Sequence, residues 1–199
     1  MKKLNLLLYL LISVLQHAVA QNIIEWDSSY TLKLSDFKSE ASKIGGNVNS
    51  LNTAMGIQFS FSMSNYEFMF TKNFNSKVSC TFTRDASSLI ASDEKMAESL
   101  LKFSQFDFDL SELYARKFRK ALYENKGAFS SAGFFKPIYD DINKEFTQRH
   151  SKAADETQLG QDETKLRVLH AQVLYELNEL PDFCKTCKPP KKSKTKQKE

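Results

Sequence analysis

The sequence predicts an α+β domain: an antiparallel β-meander packed against a long central helix and one or two further helices. Three observations carry that prediction. Over residues 99–123, Leu100, Phe103, Leu110, Leu113, Tyr114, Ala121 and Leu122 recur at three- and four-residue steps with no Gly or Pro between them, the period of an amphipathic helix. Upstream, apolar residues alternate with polar ones through Ile57, Phe59, Phe61 and Met63, then Tyr66, Phe68 and Phe70, then Val78, Cys80 and Phe82. That period-two pattern predicts about three strands with one apolar face, which needs a helix to cover it. Downstream, helical periodicity returns twice, over 138–150 and over 163–180. The second of these sets Leu166, Leu169, Val173, Leu174 and Leu177 on one side and stops at Pro181.

In chain order, residues 1–20 carry two lysines, an apolar run over 4–15, and Ala-Val-Ala before Gln21. This is the layout of a secretory signal, and its apolar run is shorter than the ~20 residues that span a bilayer. Gln rather than Cys follows the expected cut, so no lipid attachment is expected, and the protein is expected to be exported, periplasmic or extracellular. Tyr30, Leu32 and Leu34 alternate with polar neighbours, an extended entry ending in a turn or cap at Ser35-Asp36. Residues 39–54, small and polar around Gly45-Gly46, read as a loop, and residues 85–92 as a polar connection. The central helix is expected to start near Ser92-Asp93, with Glu94 in its first turn. Residues 129–137 read as a turn and 151–162 as a polar loop. The domain therefore spans 21–183, and the Pro- and Lys-rich stretch 184–199 reads as a disordered tail.

Charge is unevenly spread. The formal net charge is +4; the signal holds +2, and the stretch from Lys185 holds seven Lys and one Glu, or +6, which leaves 4 − 2 − 6 = −4 for 21–184. A mildly acidic body argues against nucleic acid as a partner. The lysine run is suited to weak electrostatic contact with an acidic surface. Three cysteines are too few for a disulfide-built fold. In an exported chain, Cys184 and Cys187 are expected to form a local disulfide, or one of them to bond Cys80, which otherwise reads as a small buried apolar residue on a strand. The sixteen Phe supply the core instead.

Several segments together resemble a family of predicted secreted bacterial zinc-dependent proteases, a domain of uncharacterised function. Residues 26–38, WDSSYTLKLSDFK, resemble its N-terminal W…L…W-D-F-K segment. The run FDLSELYARKFRKAL, with Gln105 ahead of it, resembles its helix H-E-Q-x-H-F-D-(I/L)-x-E-L-Y-A-R-K-L-R-K-x-L, and ETQLG at 156–160 resembles a later E-T-x-H-G. The resemblance implies a zincin-like fold and a zinc-dependent peptidase ancestry. In such a site, His at i and i+4 of a helix present two imidazoles to Zn²⁺, and the Glu between them acts as base on metal-bound water.

The departures fall on the chemistry. Phe103, Ser104 and Asp107 occupy the positions of the two His and the Glu, and Leu159 that of the later His. Phe and Leu ligate no metal, and Ser104 is no carboxylate base, so the family's zinc cofactor is not supported here. Phe103 and Leu159 are expected to plug the former zinc pocket. Asp107 alone keeps an oxygen donor. A rebuilt site would draw on Asp109, Glu112, His150 or His170, although Asp107 and Asp109 cannot face the same way on one helix. His150 and His170 by themselves read as ordinary surface or capping residues. Tyr114, Arg116, Lys117 and Arg119 match the family and read as structural. These expectations point to a non-catalytic exported module that binds an unknown envelope protein or peptide. The alternative is a hydrolase of the same family with its active site rebuilt around Asp107.

Overall fold

The computed structural model describes residues 22–60, 62–131 and 133–189. The expected signal over 1–20 and most of the lysine run lie outside them. The architecture is α+β, with a long central helix packed on two small sheets and joined by two further long helices. Among the described residues no helix is long and apolar enough to cross a membrane.

The first sheet has the order β1 (Ile23–Glu25), β5 (Val78–Thr83), β4 (Met55–Phe59), antiparallel throughout. Along β5 the alternation does what its period dictates: Val78, Cys80 and Phe82 are buried while the Ser and Thr between them are not. The second sheet, β2 (Lys43–Ile44), β6 (Ser88–Ala91), β3 (Ser50–Asn52), is mixed, with β2 parallel and β3 antiparallel to β6. The segments expected to be a loop over 39–54 and a polar connection over 85–92 thus supply this sheet. Strands of two to four residues carry too short a pattern to stand out, and only Leu89 and Ala91 of β6 point into the core.

Two further elements differ from expectation. The predicted strand at 66–70 is a helix, α1 (Asn65–Phe70), whose N-cap Ser64 accepts the Glu67 amide on Oγ at 3.1 Å. Tyr66 and Phe70 are four apart and their rings pack at a tilt on one face, while Phe68 is buried in the core, so three alternating aromatics satisfy both periods. The Ser-x-x-Glu spacing favours the helix. Tyr30, Leu32 and Leu34 form no strand either: the segment closes in a single 3-10 turn, Leu34–Asp36. Asp36 is buried there, holding the Tyr30 hydroxyl, the Lys33 amide and, at 3.0 Å, the Arg84 guanidinium.

The central helix α2 (Glu94–Asn125) begins as expected, with Asp93 capping the Met96 amide at 2.8 Å. It touches β4, β5, β6 and both long helices that follow, and Phe74, Phe82, Phe103, Phe106, Phe108 and Phe118 form the centre of the core around it. α3 (Phe135–Thr157) starts earlier and ends later than its apolar pattern indicates. Pro137 lies in its first turn, where a missing N–H costs nothing. The supposed loop from 151 continues the helix to Thr157. α4 (Glu163–Asn178) follows, capped by Asp162. The chain then makes a 3-10 turn at Pro181–Phe183 and a Cys184–Cys187 disulfide loop, so ordered contacts extend past the expected start of the tail. Cys80 is buried and free, its thiol pushed well up by burial, and takes no part in that bond.

Candidate site on the central helix

Phe103, Ser104 and Asp107 lie in the first half of α2, where it meets α3. Phe103 is 1% exposed. Its ring packs against Phe106 and, at 5.9 Å between centroids, against the imidazole of His150 on α3. Ser104 is buried, and its hydroxyl donates to the Leu100 carbonyl one turn back at 2.8 Å, which occupies its proton.

Leu159 sits in the turn between α3 and α4. Gln158, Leu159 and Gly160 adopt φ of 49°, 56° and 92° in succession, an uncommon run for two side-chain-bearing residues. The turn is held by Thr157, whose Oγ1 donates to Ala153 O and accepts the Gly160 amide at 3.1 Å. Its placement is set by contact: a Cβ on Gly160 would lie 2.3 Å from the Ser99 carbonyl and 3.1 Å from Phe103 Cβ. The turn carrying Leu159 therefore presses on α2 at Phe103, and Leu159 packs half-buried at the edge of the core.

Asp107 is 3% exposed and faces His150 on α3, whose Nδ1–H donates to its Oδ1 at 2.7 Å. This contact holds the imidazole above its ordinary pKa against the opposing effect of its own partial burial. The other carboxylates of α2 are engaged elsewhere. Asp109 faces α4 and the N-terminal segment, accepting His170 Nε2–H and Trp26 Nε1–H, each at 2.7 Å, and the Gln105 amide at 3.1 Å. Gln105 in turn accepts the Leu32 amide at 2.8 Å. Glu112 pairs with Arg116 at 3.1 Å and Arg119 at 2.7 Å, all largely buried.

Those arginines tie the fold together. Arg119 donates to Val78 O of β5 and to Phe183 O; Arg116 donates to Leu177 O and Leu180 O at the end of α4 and lies over the Trp26 ring. Tyr114 packs on Phe146, and Lys117 pairs with Glu176 at 3.3 Å. Tyr114, Arg116, Lys117 and Arg119 are thus fasteners between elements. So is the Trp26 segment, which is latched to Asp109 and Gln105.

His150 and His170 are not the ordinary surface residues their spacing suggests: each is the buried-side partner of a core aspartate. One signal was present, because Asp107 and Asp109 alternate with Phe106 and Phe108 on a helix with an apolar face, and a buried carboxylate needs a partner. Which residue supplies it depends on how α3 and α4 pack. Of the candidate set Asp107, Asp109, Glu112, His150 and His170, only Asp107 and His150 come together at the family position. Among the described residues no group of three or more His, Cys, Asp or Glu is placed to hold a metal ion. Next to this site, between α3 and α4, lies a cavity of about 470 Å³ lined in part by Phe106, Tyr114, Gln148, Arg149, Lys152 and Gln172. Comparison of the chain with models of protein families, with curated proteins and with solved structures finds no match to it.

Proposed function

We propose that this chain is a non-catalytic, exported descendant of a zincin-like, zinc-protease-like family, acting as a binding or structural module at the bacterial cell envelope. The observation that carries the reading is the filling of the former metal positions. Phe103 is buried against His150 and Phe106, and the Ser104 hydroxyl is spent on its own helix. Asp107, the one donor left, is paired with His150. Neither Phe103 nor Leu159 offers a lone pair to a metal, and burial of the Phe103 side chain contributes roughly 1.5–3 kcal/mol to the fold instead. The cavity over Phe106 and Tyr114, with two amides, two cations and the carboxylates of Glu145 and Glu156 on its walls, is a suitable place for an extended peptide of an envelope protein.

One observation favours the second reading, a hydrolase rebuilt around Asp107. A buried carboxylate hydrogen-bonded to Nδ1 orients the imidazole of a side chain that is 35% exposed, and such a pairing is one a general base uses. Metal analysis separates the readings. The chain from Gln21, purified without chelator and titrated with Zn²⁺, is expected to contain no stoichiometric metal and to show no zinc-dependent rise in melting temperature. Near-stoichiometric metal that is lost in Asp107→Ala overturns the first reading in favour of the second.

A further inference from the structure

Only one face of α4 is used by the fold. Leu166, Val173 and Leu177 are buried on the side that packs on α2. On the opposite side Thr164, Val168, Ala171 and Tyr175 follow one another at steps of four, three and four residues. All four are exposed, Val168 at 63% and Tyr175 at 65%, and Leu174 on their flank is 43% exposed. Residues at that spacing form the seam along which two helices pack, and the small Ala171 at its middle lets them come close.

The charges beside the seam are arranged about the same midpoint. Lys165, Gln172 and Glu179 run along one flank at intervals of seven, so a cation stands one heptad before the glutamine and an anion one heptad after it. Other charged residues of α4 are engaged within the molecule: Glu163 pairs with Lys102 at 2.9 Å, and Glu176 with Lys117 at 3.3 Å and Arg149 at 2.8 Å. Lys165 and Glu179 join no ion pair among the described residues, although Glu179 lines a shallow cavity with Lys117 and Lys120. On α3, Lys152 and Glu156 balance each other at 3.8 Å. Arg167, close enough to Glu163 to favour its charged form, lies on the other flank with Leu174.

We propose that this face of α4 packs against the same face of a second copy, the two helices running antiparallel about a two-fold axis near Ala171 and Gln172. An isologous contact makes every pairing twice. In this register Val168 meets the second copy's Tyr175, and Lys165 meets the second copy's Glu179, at both ends of the seam. A parallel pair would set Lys165 level with Lys165 and Glu179 level with Glu179. The order of charge along the flank therefore selects both the occupant and its direction. One helix against one helix is at the small end of specific interfaces, so the dimer is a weak and reversible one. The inference does not rest on the reading of the α2 site, and metal content does not bear on it.

Sedimentation equilibrium of the chain from Gln21 tests it. The weight-average mass is expected to rise from monomer toward dimer with concentration. Lys165→Glu and Glu179→Lys are each expected to weaken association about tenfold, because each turns two attractive pairs into repulsive ones. Both changes place the new charge at the helix end where the macrodipole favours it, so neither weakens α4 itself. Mixed in equal amounts, the two variants are expected to form a heterodimer that neither forms alone, since each supplies the charge the other lacks. Val168→Gln combined with Tyr175→Gln is expected to abolish association, with helix propensity preserved. A native chain still monomeric at about 1 mM overturns the proposal. So does association that Val168→Gln with Tyr175→Gln leaves unchanged, which would use another face. A mixture of the charge variants that associates no better than either alone also overturns it, because the helices would not then lie antiparallel in this register.

Discussion

Asp107, Asp109 and Glu112 lie within two turns of one helix and are all buried, yet each turns to a different neighbour. Asp109 has three donors and Glu112 two guanidinium groups, whereas Asp107 is held by an imidazole, which can lose its proton. His150 has a folded-state pKa above its unfolded value of about 6.5, because the Asp107 carboxylate favours the protonated ring. Its contribution to stability is therefore complete below the unfolded pKa and is lost as pH rises through the folded one. The melting temperature of the native chain, measured by circular dichroism, is expected to exceed that of His150→Gln by most below the unfolded pKa of about 6.5, with the difference shrinking as pH rises above it. A difference constant across that range would mean that the ring does not titrate against Asp107. This pairing illustrates what the residues reveal in advance. Carboxylates between Phe106 and Phe108 announce a need for partners, but His150 lies 43 positions away and reaches Asp107 only through the crossing of two helices.

At the scale of elements, the readable segments are those whose pattern is long enough to admit one period. α2 and α4 repeat their apolar spacing over several turns and are capped by Asp93 and Asp162, and both begin where the caps place them. The sequence of α1 fits a strand as well as a helix, because five residues with aromatics at alternate positions satisfy both geometries, and only the Ser64 cap distinguishes them. The end of α3 is governed by a different constraint. Gly160 combines a left-handed backbone with a contact against α2 too close for any side chain. Gly160→Ala is expected to destabilise the protein by about 2–5 kcal/mol, from left-handed strain together with overpacking against Ser99 and Phe103. Urea unfolding reads this as a fall in the midpoint, and an unchanged midpoint would mean that the turn can move away from α2. The glycine is visible in ETQLG, but its reason is tertiary.

For the whole molecule, the α+β class and the central position of α2 are legible because the longest uninterrupted apolar stripe needs the most neighbours. The division into two sheets is not legible. The expected meander joins successive strands, whereas β5 pairs with β1 from the start of the described chain and β6 lies between β2 and β3. Such pairings join residues far apart in sequence, and the mixed sheet is built from strands too short to signal themselves. The position of the candidate site follows from the same arrangement: Phe103, Asp107, Asp109 and Glu112 sit on the one element that every other long segment touches.

That arrangement also orders the ways in which the molecule opens. Both sheets and both later helices lean on α2 rather than chiefly on one another, so each outer element can detach while the middle of α2 stays covered by those that remain. Hydrogen–deuterium exchange is expected to be slowest at the amides of residues 103–119 and to proceed there only through global unfolding, with β2, β3 and α1 exchanging through smaller openings. Uniform protection across the sheets and α2 would instead describe a molecule that opens all at once. In the hierarchical case, the helix that every other long segment covers is the last part of the protein to let water in.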